Sequence, residues 1–128
     1  MARGYGLSEP PEHTDTNSWP FKRWFDELME LMVSQITIVT VTAAYTVARS
    51  VFYVRGDATA AAFAVTLPAA LNMQGRQIAV KKIDASGNAV TVTAAGSDTI
   101  DGSATSSLAA QWNKVHLISN GVDTWEVL

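Results

Sequence analysis

The sequence predicts a mainly β protein, a small antiparallel β-sandwich or barrel preceded by an extended N-terminal arm and one amphipathic helix. Three observations point there. Ile36-Thr37-Ile38-Val39-Thr40-Val41-Thr42 is β-branched at every position, the side-chain class that packs best on a pleated surface. From there onward, short apolar runs alternate with turn-forming residues at the spacing of about 8–12 residues expected of a sandwich or barrel. Before it, residues 19–34 repeat with helical period instead.

The first region, residues 1–18, holds Gly4, Gly6, the Pro10-Pro11 pair and the polar run His13-Thr14-Asp15-Thr16-Asn17, with no period of 2 or 3.6. It is expected to be extended and mobile by itself. Two readings stand: a frayed terminus, or a peptide arm that orders on another protein with Tyr5 and Leu7 as anchors.

In the second region Asn17 or Ser18 can cap a helix, and Pro20 is tolerated in its first turn. Phe21, Trp24, Phe25, Leu28, Leu31 and Met32 fall on one stripe, with Lys22, Arg23, Asp26, Glu27 and Glu30 opposite. The basic residues lead and the acidic ones follow, against the helix dipole. The aromatic stripe must therefore be covered, either by the β region or by a partner. Trp19, Phe21, Trp24, Phe25 and Leu28, with Tyr5, are the candidate docking residues.

Strands are expected over residues 36–42, 45–54, 62–67, 77–83, 89–93, 114–119 and 124–128. Turn signals separate them at Arg55-Gly56-Asp57, Asn72-Met73-Gln74-Gly75, Asp84-Ala85-Ser86-Gly87-Asn88, Asp101-Gly102 and Asn120-Gly121. In the 77–83 strand Ile78, Val80 and Lys82 share one face, an imperfect alternation. No exact internal repeat is visible.

Charge supports a division into an arm and docking helix (1–35) and a β domain (36–128). Of the net charge of −3, all sits in the first part, which has three basic and six acidic residues against six of each in the second. Hydrophobic residues make up 48% of the chain but are weighted to Ala and Val, so each contributes little buried area, and a thin core of this kind suggests an oligomer. The absence of cysteine excludes disulfides, thiolate metal sites and cysteine nucleophiles. No basic run suggests nucleic acid, no stretch is apolar enough for a membrane span, and residues 1–12 lack a signal-peptide core, so synthesis in the cytoplasm is expected.

Few residues offer chemistry. His116 lies in a strand between Val115 and Leu117, where a surface or interface role is the ordinary one. Ser97, Ser103, Ser106 and Ser107 lack a nucleophile-elbow setting. Asp98 and Asp101 allow a carboxylate pair or, more simply, a turn in which Asp101 bonds local backbone beside Gly102. Arg55-Gly56-Asp57 spells a known adhesive tripeptide, too short to be specific. Tyr53, Trp112 and Trp125 either seal a core or interface or form a receptor surface. No cofactor is implied, and an enzyme is not expected.

The order of motifs after Val65 adds a resemblance. Thr66-Leu67-Pro68 is followed by Gly75-Arg76-Gln77-Ile78-Ala79-Val80-Lys81-Lys82, then by Asn88-Ala89-Val90-Thr91-Val92. Thr99-Ile100-Asp101-Gly102 and Ser119-Asn120-Gly121 with Trp125 complete the series. The series resembles a small β module of tailed-phage appendage proteins, among them tail fibres, tailspikes and head fibres or decorations, and it covers about half the chain. The resemblance implies a homotrimeric virion structural protein without catalytic residues. The first 60 residues lie outside the pattern, and the arm and helix are expected to attach the trimer to capsid or tail proteins. The alternative is a receptor-binding tip whose partner is a host-surface glycan.

Overall fold

In a computed structural model the residues described are 19–33 and 37–128. The chain divides into two units, 1–36 and 37–128. In the first, helix α1 (Trp19–Val33) has no acidic residue in its first turn and no basic residue in its last, so the dipole is left uncompensated. Phe21, Trp24 and Leu28 are half-buried and Phe25 is exposed. The Phe21 and Trp24 rings lie 5.9 Å apart in a tilted arrangement. Arg23 reaches Glu27 at 3.6 Å, an exposed pair worth a few tenths of a kcal/mol, about 0.3–0.5. Tyr5 lies outside the described residues, as does the side chain of Trp19.

The second unit is mainly β, as expected, and has two sheets. Its strands are β1 (Thr37–Val41), β2 (Tyr45–Thr46), β3 (Val51–Gly56), β4 (Phe63–Thr66), β5 (Gln77–Lys82), β6 (Val90–Thr93), β7 (Thr99–Ile100), β8 (Thr105–Leu108), β9 (Lys114–Ser119) and β10 (Thr124–Val127). The larger sheet runs β1-β3-β5-β9-β10-β7 and the smaller β2-β4-β6-β8. The first six strands alternate between the sheets. The chain therefore winds as a flattened coil in which β1, β3 and β5 are parallel, as are β2, β4 and β6.

Pairing is thus mixed where antiparallel pairing was expected. The antiparallel contacts come late, where β8 joins β6 and the β9–β10 hairpin closes on β5. The physical reason is that each corner carries the chain across to the opposite sheet. A strand then returns beside the one made a turn earlier and in the same direction. Arg55-Gly56-Asp57 marks such a corner, with Gly56 inside β3. The coils are unequal, since Val39 pairs with Val54 but Val54 pairs with Val80, and hence no repeat shows in the sequence. The expected strand 45–54 is split into β2 and β3 by a turn closed by the bond from Val51 N to Ala48 O.

The core lies between the sheets. Val54, Val80 and Val115 stand in register on the larger sheet, facing Val65, Val92, Val90 and Leu108 of the smaller. Where Gly56 passes Val90, an added Cβ would sit 3.0 Å from Cγ2, so the sheets approach too closely there for a side chain. Trp125 is the largest fully buried residue. It closes the opposite end, donating from Nε1 to Pro68 O at 3.1 Å. Around it the β4–β5 connection is held by Ala70 N on Asp98 Oδ2 (2.9 Å) and by Ser119 Oγ on Ala70 O (2.8 Å). Gly121 has φ of 85° and would place a Cβ 2.7 Å from that of Gln74, so this turn requires glycine.

Lys82 continues the inward face of Ile78 and Val80, and its side chain is completely buried. Its ammonium meets Asp84 Oδ2 at 2.7 Å and donates to Asp84 O at 3.2 Å. The same carboxylate accepts from Ala58 N at 2.8 Å and from Ser86 N at 3.0 Å, and is bonded by Ser86 Oγ. Asn88 Nδ2 donates to Ala58 O at 2.9 Å. The Asp84–Asn88 loop thereby fastens the β3–β4 corner to the β5–β6 corner.

Burial alone would raise the Asp84 carboxyl. The bonds from Lys82, Ser86 and Ala58 outweigh it and hold the group well below the usual carboxylate range. A depressed folded-state value means that the stability it confers is complete above the unfolded value, about 4, and is lost as pH falls below it. The melting temperature should therefore hold between pH 7 and about 5 and fall below about 4. The acid limb should be shallower in Asp84→Asn. Lys82→Met strands a buried carboxylate and should lower the melting temperature by about 10 °C or more. Adding Asp84→Leu should restore part of that loss in a thermal melt.

Candidate interaction face

The outer face of the six-stranded sheet gathers side chains that lie far apart in the sequence. β1, β3, β5 and β9 place Thr40, Arg55, Lys81 and Lys114 opposite one another in a single cross-strand row. One pleat away, Ile38, Tyr53, Ala79 and His116 form a second row. The register shift after Thr37 makes Phe52 an extra residue on this side. Its ring meets the His116 imidazole edge-on at 6.4 Å, and His116 Nε2 pairs with Gln77 Oε1 at 2.8 Å. His116 is therefore an outward-facing strand residue packed on its neighbours.

Trp112 lies beside the cationic row, two residues before Lys114 and next to Lys81. Its backbone N donates to Lys82 O at 2.8 Å and its φ is 72°, which turns the indole outward. The residue is 58% exposed, and Lys81 Nζ lies over the ring at 5.3 Å, within cation–π range. Arg55 Nη1 donates to Thr40 Oγ1 at 3.2 Å.

The structure separates the three aromatic candidates for a receptor surface. Trp112 and the half-buried Tyr53 belong to this face. Trp125 does not, since it is 0% exposed and bonded to Pro68. Of its two roles it has the sealing one, and the reason lies in the alternation of β10, which turns Trp125 inward between the exposed Glu126 and half-buried Thr124.

The remaining candidates serve the backbone. Asp98 accepts from Ala70 N, and Asp101, at φ of 48°, accepts from Val127 N at 3.2 Å. Asp101 and Gly102 (φ of 87°) thus form the expected turn, but the Asp101 carboxylate bonds the backbone of β10 and not the local backbone. Among the described residues no three His, Cys, Asp or Glu side chains cluster as metal ligands, and no helix is long and apolar enough to cross a membrane. Gly56 is buried within β3, so Arg55-Gly56-Asp57 is not displayed at a loop tip. What the sequence could not show is the cationic row, because its members are 26 and 33 residues apart (55 to 81, 81 to 114) and meet only through strand register.

No known family profile matches the chain, and no curated protein resembles it significantly.

The contrast between the two tryptophans is directly measurable. Trp125→Ala should cost about 3–5 kcal/mol in chemical denaturation. Trp112→Ala should stay within about 0.5 kcal/mol while removing the more solvent-accessible indole from quenching experiments.

Proposed function

We propose that this chain is a bacteriophage virion structural protein, a trimeric appendage of the head-decoration, short head-fibre or tail-associated type, docked through its N-terminal segment. The observation that carries the reading is the ordered series of motifs from Thr66-Leu67-Pro68 to Trp125. In the fold these motifs are partners of one another. Pro68 receives the Trp125 indole, Lys82 pairs with the Asp84 loop, and the residue after Asn120 packs on Gln74. The first and last members of the series thus bond across 57 residues, which supports reading it as one module.

Composition alone suggested a core too thin to stand without a partner. The β unit closes one core of eighteen buried apolar residues within a single copy, so the trimer rests on the resemblance. Exposed Ile38, Leu71, Val122, Val127 and Leu128 offer apolar area for association. Light scattering of the purified chain should report about three copies per particle, the habit of the resembled module; a stable monomer at micromolar concentration would count against trimer and resemblance together.

Docking is assigned to α1, whose stripe includes the exposed Phe25. Trp24→Ala with Phe25→Ala should abolish incorporation into particles, since a buried aromatic anchor is worth about 2 kcal/mol or more. Lys22→Ala with Glu30→Ala should be nearly silent. The fragment 36–128 should be soluble and folded but excluded from virions. Aggregation of that fragment would mean instead that the stripe is needed to complete the β unit.

A further inference from the structure

The β unit has equal numbers of acidic and basic residues, yet the two signs are used differently. Five of the six acids, Asp57, Asp84, Asp98, Asp101 and Asp123, direct carboxylate oxygens to hydrogen-bond partners within the unit; the sixth, Glu126, is exposed on β10 opposite Ile118. Of the cations, Lys82 is buried with Asp84, and Arg76 donates to Val51 O. Arg55, Lys81 and Lys114 are instead set side by side on the outer sheet face. None of the three makes an ion pair among the described residues. The nearest acid in sequence, Asp57, has Oδ1 occupied by Thr59 N at 3.0 Å and Thr59 Oγ1 at 2.6 Å.

Arg55 stands directly opposite Lys81, and Lys81 directly opposite Lys114. Like charges in directly opposed positions destabilise a sheet, and here the arrangement occurs twice in succession. A bound anion would remove that repulsion. Two strand intervals separate the outer cations, about 10 Å, and Trp112 flanks the row beside Lys81 with its largely open indole. The row thus offers a planar guanidinium suited to bidentate contact with an oxyanion, two ammonium groups, and an aromatic plate with apolar faces.

We propose that the row Arg55, Lys81 and Lys114 with Trp112 binds an acidic polysaccharide, its carboxylate or sulfate groups on the cations and one sugar ring stacked on the indole. Three cations are too few for the extended phosphate contacts that sustain nucleic-acid binding. An acidic peptide would use the cations but has no need of the aromatic plate. The proposal does not rest on the trimer or on virion docking, so either can fail without the other.

The test is calorimetric titration of the full chain at low salt with size-matched oligosaccharides of hyaluronate (carboxylate), heparin (sulfate) and dextran (neutral), alongside octaglutamate and a short oligothymidylate. The expected result is binding of one or both acidic saccharides and none of dextran. Lys81→Ala with Lys114→Ala should weaken it about tenfold or more with the melting temperature held or raised, and Trp112→Ala should weaken it severalfold with the melting temperature unchanged. Lys114→Glu, at an exposed position free of internal bonds, should abolish it by sign reversal alone. Absence of saccharide binding overturns the proposal. So does binding that Trp112→Ala leaves intact and octaglutamate or oligothymidylate matches, because the row would then be a general anion surface for a protein or nucleic-acid partner.

Discussion

An ammonium group between two apolar sheets is tolerable only if its charge is answered on the spot, and Lys82 is answered by Asp84 alone. That constraint organises one end of the β unit. To meet Lys82, the chain after β5 must turn inward within two residues. The carboxylate, once there, has lone pairs left over, which Ser86 and the Ala58 amide fill. The corner between β3 and β4 is consequently fixed by a charge carried on β5. An apolar pair of similar volume could stabilise as much, but it would not dictate which loop lies over which corner.

The opposite end is organised without an ion pair among the described residues. Pro68, Ala70, Ser119 and Trp125 are joined through backbone carbonyls, one hydroxyl, one indole and the Asp98 carboxylate. Between the two ends the core is rich in valine and needs little specificity, because β-branched side chains in register fill an intersheet gap uniformly. The polar clusters at the ends supply the uniqueness of the fold, and the apolar side chains between them, valine the commonest, supply its burial.

Much of this was legible in the sequence. The helix was marked by its apolar stripe, the break near residue 36 by charge, and the strands later found as β1, β4, β5, β6, β9 and β10 by β-branched runs and turn residues; alternation put Lys82 on the face of Ile78 and Val80, where it stood only as an irregularity. The corner inside 45–54 was not, since no glycine or proline stands there and the turn rests on one backbone bond. Nor was β8, whose Thr-Ser-Ser-Leu buries only Leu108, or β7, two residues long. Parallel winding was hidden for a deeper reason. Hairpins and sheet-to-sheet corners use the same turn residues, and unequal coils leave no period to detect. The cationic row followed from that winding and was hidden with it, whereas Trp112 and Tyr53 could be named as candidates from composition and position alone.

The place of β10 in the six-stranded sheet bears on how the molecule is made. Because β9 and β10 lie between β5 and β7, a chain emerging from the ribosome can wind its first coils but has neither the strand nor the indole that completes them until residue 125 has cleared the exit tunnel. Before β9 emerges β5 presents an open edge, and until Trp125 follows its pocket stands empty. A translation product cut short of that residue is thereby marked as unfinished, by exposed apolar surface that chaperones and proteases read.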